Sequence, residues 1–147
     1  MNTPVVVGVD GSATARKAAE VAHSLAAALN VPLLVTSAFD NDRVEERQSG
    51  ADKFVLSAAG DAEKAAQDTV RALRSKGNGI TVSHSVVRGK PAEALLKEAT
   101  RVNAQLIVVG NRRMRGIGRL LGSVANSVAH SATCDVYIAN TYEDAED

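Results

Sequence analysis

The stretch GNRRMRGIGRLLGSVANS, Gly110 to Ser127, follows directly on the hydrophobic run LIVV. It gathers four arginines (Arg112, Arg113, Arg115, Arg119) and four glycines (Gly110, Gly116, Gly118, Gly122). Glycine admits positive φ and lets backbone N–H groups approach a bound group closely. Guanidinium groups add planar, charged hydrogen bonds suited to oxyanions. Gly122-Ser123 stands where a helix is expected to begin, and a helix N-terminus supplies unpaired amides and a dipole that favours negative charge. The combination points to an anion held by the amides of Gly122 and Ser123, the Ser123 hydroxyl, and Arg112 or Arg113. The competing reading is a solvated basic turn with Ser123 as an ordinary N-cap.

GVDGS, Gly8 to Ser12, is the second candidate. A carboxylate at the end of a buried strand is costly unless it is solvated, hydrogen-bonded or metal-bound. Asp10 therefore has three open uses: to accept from a base or ribose group, to hold Mg²⁺ through water, or to cap the first helix.

Other chemistry finds little support. There is no G-x-x-x-x-G-K-[ST], which excludes a P-loop NTPase, and Gly116-Ile117-Gly118 does not open a dinucleotide fingerprint. A phosphoacceptor receiver domain would need more acids at the strand ends and a lysine after the last strand. His130 and Cys134 are four apart, with no third group to make a catalytic pair; a helix end beside a buried thiol is the simpler reading. His23 falls on a helix and His84 on an edge strand, both as structural or solvated groups. No zinc spacing, nucleophile elbow or paired carboxylate motif occurs.

The elements that would position these residues follow from periodicity. Pro4–Asp10, Val31–Phe39 and Ala104–Gly110 are short, Val- and Leu-rich and not alternating, as strands covered on both faces should be. Ile80–Val87 alternates, with Ile80, Val82, His84 and Val86 on one side, which suits an edge strand. Cys134–Asn140 makes a fifth strand. Between them run helical stripes: Ala15, Ala18, Ala19, Ala22, Leu25, Ala26 and Leu29, stopped at Asn30; Val55, Ala58, Ala62, Ala66, Val70 and Leu73, ended by Gly77–Gly79; Ala92, Leu95, Leu96 and Ala99 after Pro91; and Val124, Ala125, Val128 and Ala129. Residues 40–52 are polar and aperiodic, so a loop is expected there.

Strand and helix alternate throughout, which predicts an α/β fold: a single-domain, doubly wound, five-stranded parallel sheet with helices on both faces. Right-handed crossovers favour strand order 3-2-1-4-5. Ligands in such sheets lie outside the carboxyl ends of the strands, where the winding reverses. Asp10 and Gly110 end the two strands that flank that point.

Composition sets the frame. A chain of 147 residues fits one domain, and at that size folding hides roughly 70% of the unfolded surface. The 17 basic and 17 acidic residues cancel, so bulk charge gives no reason to expect nucleic-acid binding. The one cysteine excludes an internal disulfide and fits a reducing compartment. No signal peptide or membrane span is expected. These features predict a cytoplasmic domain over 1–141, followed by an acidic tail, 142–147, that frays.

Three stretches, VVVGVDGSATARKAAEVA, VVRGKPAEALLKEA and QLIVVGNRRMRGIGRLLGSVANSVAHSATCDVYIA, together resemble the universal stress protein family over nearly the whole chain. The resemblance implies the same five-stranded fold, a homodimer joined through the last strand, and an adenine nucleotide as ligand, ATP or cyclic AMP, with Mg²⁺ if ATP. By the same resemblance, Val9 and Asp10 meet the base or ribose, and Ala38 contacts adenine through its backbone. Val109 and Gly110 line the ribose side, Gly122, Ser123 and Val124 hold phosphate, and the loop from Asp40 to Asp52 folds over the pocket. The family pattern of Gly, two residues, Gly, about nine residues, Gly-Ser is met at Gly110 and Gly122-Ser123. Its middle glycine is replaced by Arg113, which either fills the place of a triphosphate or binds phosphate itself. The run GIGRLLGSV is similar to that of a cyclic-AMP-binding subgroup. Occupancy would then alter a surface read by a regulatory partner. Two further readings stay open: an interaction scaffold that binds no nucleotide, and a slow ATPase, for which no general base or in-line nucleophile is evident.

Overall fold

Among the described residues, five strands alternate with four helices in the order β1 (Val5–Val9), α1 (Ala13–Leu29), β2 (Leu33–Phe39), α2 (Ala51–Arg74), β3 (Val82–Arg88), α3 (Pro91–Arg101), β4 (Leu106–Gly110), α4 (Ser123–Ser131) and β5 (Asp135–Ala139). The structure is a computed structural model. It describes residues 3–40, 51–111 and 122–141, with 51–57 described in the backbone alone. The strands form one sheet of order β3-β2-β1-β4-β5, and every pairing is parallel. That is the expected topology, with β1 and β4 adjacent at the point where the winding reverses.

The Val-rich strands are hydrophobic on both sides because both sides are covered. Val5, Val7 and Val9 pack with α1 and α2 on one face; Val6, Ile107 and Val109 pack with α3 and α4 on the other. Gly8 faces the second layer, under Leu95 of α3. The edge position of β3 agrees with its alternating pattern, and Val82 and Ile80 join the first core.

Local signals set the helix ends. The Ser12 hydroxyl oxygen accepts from the Ala15 amide at 3.1 Å and so caps α1. Asn30, at φ 59°, closes the same helix in the left-handed region. Gly11 turns the chain from β1 into α1 at φ +87°, a conformation that favours glycine. Pro91 opens α3, as expected.

Some expectations shift. The inner stripe of α1 takes in His23, whereas Leu29, the last residue of the helix, is 48% exposed. The expected loop at 40–52 ends earlier, since Ala51 and Asp52 already belong to α2; an acidic residue near a helix start is favoured by the dipole. The remainder of that loop, 41–50, lies outside the described residues, as do the arginine-rich stretch 112–121 and the tail 142–147.

Candidate functional site

A cleft of about 230 Å³ opens at the carboxyl ends of β1 and β4. Its base is Gly8 on β1 and Thr36 on β2, which stand opposite one another in the parallel register. Leu95 closes over them: a Cβ on Gly8 would lie 3.3 Å from Leu95 Cδ2. The glycine is what leaves the cleft its depth at this point. Val9, Ala38, Pro91 and Val109 make the walls largely apolar, as small-molecule sites usually are.

Three helices begin at the rim. Ser12, Thr14 and Ala15 come from the start of α1, Pro91 from the start of α3, and Gly122 to Ala125 from the start of α4. Gly122 is the N-cap of α4, with ordinary extended backbone (φ −63°, ψ 158°) and no side-chain cap. Ser123 is therefore the first helical residue and not the N-cap of the bland reading. No acidic residue stands in the first turn of α4. Three helix N-termini give the cleft a field that favours negative charge.

Asp10 is the only charged residue among the described lining residues. Its Oδ1 accepts from the Ser12 amide at 2.9 Å, a short turn that holds the carboxylate at the exit of β1. Since Ser12 caps α1, Asp10 does not have that role. No group of three His, Cys, Asp or Glu side chains suited to a metal occurs among the described residues.

The fold thus brings Val9, Asp10, Ala38, Val109, Gly110, Gly122, Ser123 and Val124 together around one cleft. Arg112 and Arg113 lie outside the described residues.

Two polar clusters next to the cleft escaped the sequence reading. In the first, Asn111 Oδ1 accepts from the Thr141 amide at 2.7 Å and from its hydroxyl at 3.0 Å, while Asn111 Nδ2 donates to Asn140 Oδ1 at 3.1 Å. This ties the exit of β4 to the exit of β5. It also explains Gly110, where a Cβ would come within 3.2 Å of Thr141 Cγ2. In the second, the Thr36 and Ser85 hydroxyls lie 3.0 Å apart across β2 and β3, with Glu98 of α3 close to Ser85. Glu98 is only 5% exposed, and Arg101 Nε and Nη2 grip its two oxygens at 2.8 and 2.7 Å. The Arg101 guanidinium holds the Glu98 carboxyl below the usual carboxylate range against the opposing effect of burial, with Ser85 assisting. The helical stripe Ala94, Leu95, Glu98, Ala99 was the available signal, because it places this acid on the buried face.

The remaining candidates are structural. His23 is buried, and its Nδ1 accepts from Asn78 Nδ2 at 3.3 Å. His84 Nε2 lies 2.7 Å from Glu63 Oε2 on the outer layer. Burial, with Asp135 alongside, pushes the Cys134 thiol up, away from a nucleophilic thiolate. No described helix is long and apolar enough to cross a membrane.

Comparison with known proteins sets this cleft in context. The family model described as the universal stress protein family matches residues 1–140. A universal stress protein of Mycobacterium tuberculosis is 33% identical over 139 residues, which cover 94% of this chain and 45% of that protein. The chain thus spans about half the length of the first such relatives. Another from the same organism is 30% identical over 141 residues and covers 93% of this chain and 95% of its own. Among solved structures, a universal stress protein in complex with cAMP has a TM-score of 0.71 at 34% identity, covering 95% of this chain and 98% of that one. The universal stress protein UspA of Lactobacillus plantarum has a TM-score of 0.77 at 19% identity, over 95% of this chain and 98% of its own, and shares the fold.

Proposed function

The chain belongs to the universal stress protein family, and on that premise we propose that it binds an adenine nucleotide, ATP or cyclic AMP, as a cytoplasmic stress-response regulator. The observation that carries this reading is the cleft itself: an apolar slot at the switch point, rimmed by three helix N-termini, beside one carboxylate. The solved relative in complex with cAMP, at 34% identity over nearly the whole chain, supports the choice of ligand.

In this reading the base and ribose lie along Val9, Asp10, Ala38, Val109 and Gly110. Phosphate oxygens meet the amides at Gly122, Ser123 and Val124, where the α4 dipole favours them. Arg112 or Arg113 would supply charge-assisted bonds to the same oxygens. If the nucleotide is ATP, Asp10 holds Mg²⁺ through water. Residues 1–141 act as the folded unit, separate from the acidic tail.

A homodimer through β5 completes the proposal. Among the described residues the strand is an open edge, and it exposes Tyr137 (45%) on one face and Ile138 on the other. Edge strands invite pairing with another chain. Nucleotide occupancy, read through this assembly, is what a regulatory partner would sense.

Calorimetry on ligand-stripped protein tests the binding. Saturable heat is expected with cyclic AMP or ATP. Arg113→Gly should weaken binding if the arginine holds phosphate. A gain of binding in that variant, from none in the parent, would instead mark the parent as an interaction scaffold.

A further inference from the structure

Asn78 is the one asparagine in the chain that a glycine follows. The turn Gly77-Asn78-Gly79 stops α2 and leads into the amino end of β3, away from the cleft at the carboxyl ends. Asn78 is exposed, and both neighbouring glycines hold positive φ, +70° at Gly77 and +79° at Gly79. A Cβ on Gly79 would meet nothing within 4 Å. Among the described residues, no acceptor takes the Gly79 amide. The Asn78 side chain also reaches the core, where its Nδ2 lies 3.3 Å from Nδ1 of buried His23.

These features meet the needs of one spontaneous reaction, the deamidation of asparagine. The following amide nitrogen gives its proton to water and attacks the asparagine Cγ. The N–Cγ bond forms, the Cγ–Nδ2 bond breaks, and Nδ2 leaves as ammonia with a proton from water. A further water opens the resulting cyclic imide at one carbonyl or the other, leaving aspartate or isoaspartate. No oxidant or reductant takes part. Glycine hinders this ring closure least, because it has no Cβ in the path and the widest choice of φ.

We infer that Asn78-Gly79 is a self-modification site, at which water converts the amide into a carboxylate that faces buried His23. The product exchanges a donor for a pure acceptor. Nδ1, which accepts from the amide in the fresh chain, must then carry a proton, and a carboxylate beside an imidazole favours its charged form. In the fresh chain, burial and then Lys76, the charged group that acts on His23 among the described residues, favour the neutral form. Ageing of the turn thus reverses the charge preference of a core histidine on α1.

The experiment stores the full chain at mildly alkaline pH in water enriched in heavy oxygen and follows every asparagine by peptide mass spectrometry. Conversion with uptake of the heavy isotope should run several-fold faster at Asn78 than at any other asparagine, giving both aspartate and isoaspartate. NMR titration of the imidazoles reads the consequence in the core. The His23 midpoint should move to higher pH in Asn78→Asp and in the aged parent, and stay near the fresh parent's value in the uncharged Asn78→Ser. Loss of the amide at Asn78 no faster than elsewhere would overturn the inference. So would a His23 midpoint in Asn78→Asp equal to that of the parent.

Discussion

Asn111 Oδ1 lies 2.7 Å from the amide nitrogen of Thr141, so one buried side chain joins the end of β4 to the second residue after β5. Gly110 sits beside this junction and lines the cleft, which makes the junction part of the cleft's support. Asn111→Ala leaves the Thr141 amide and hydroxyl without their acceptor. The expected cost is about 1–3 kcal/mol, read as a melting temperature lowered by roughly 2–4 °C for each kcal/mol. Asn111→Asp keeps the acceptor and should lose less. Equal melting temperatures for parent and Asn111→Ala would contradict the supporting role.

Gly122 has ordinary extended backbone, which any residue adopts without strain. Gly122→Val therefore adds no backbone strain, and circular dichroism checks that the variant, substituted at a buried position, stays folded. Its side chain would stand at the start of α4, where phosphate is proposed to sit, and binding should fall by about tenfold or more. Unaltered affinity, measured by calorimetry, would move the phosphate elsewhere.

His23 supplies a pH dependence. Burial, assisted by Lys76, lowers its pKa from 6.5 in the folded protein. The unfolded chain then binds more protons than the folded one, so stability rises with pH in this range. It should be complete above pH 6.5 and fall as the pH drops below that value towards the lowered pKa. Protonation at Nδ1 would also remove the acceptor for Asn78. Denaturant unfolding between pH 5 and pH 8 should show this slope in the parent and a shallower one in His23→Gln. Equal slopes would assign the acid sensitivity to other groups.

Tyr137 and Ile138 on the open edge of β5 bear on assembly. Glutamates at both positions should convert a dimer to a monomer in analytical ultracentrifugation, with the fold intact by circular dichroism. A parent already monomeric at high concentration would contradict pairing through this strand.

Much of this architecture was legible because each signal is local. The valines of β1, broken only by Gly8, and the alternation of β3 announce a central and an edge strand, and Asn30 and Pro91 announce helix ends. Asp10 and Gly110 were placed at the cleft by the same logic, since sheet topology alone brings them together, whereas Val9, Ala38, Val109 and Val124 came from the family resemblance. What escaped depends on partners distant in the chain. Thr36 meets Ser85 only through the β2–β3 register, and Asn111 meets Thr141 only because β5 returns alongside β4. Glu98 reads as a surface acid until the depth of its helix face is known. Gly8 reads as a pause within a strand until Leu95 is placed above it.

The central claim is that an adenine nucleotide occupies the cleft above β1 and β4. An NMR titration of amide-labelled protein with cyclic AMP tests it residue by residue. Saturable shifts should concentrate at Gly8, Val9, Ala38, Gly110, Gly122 and Ser123 and leave the outer face of α2 unmoved. No shifts at millimolar nucleotide, or shifts centred away from those amides, would contradict it.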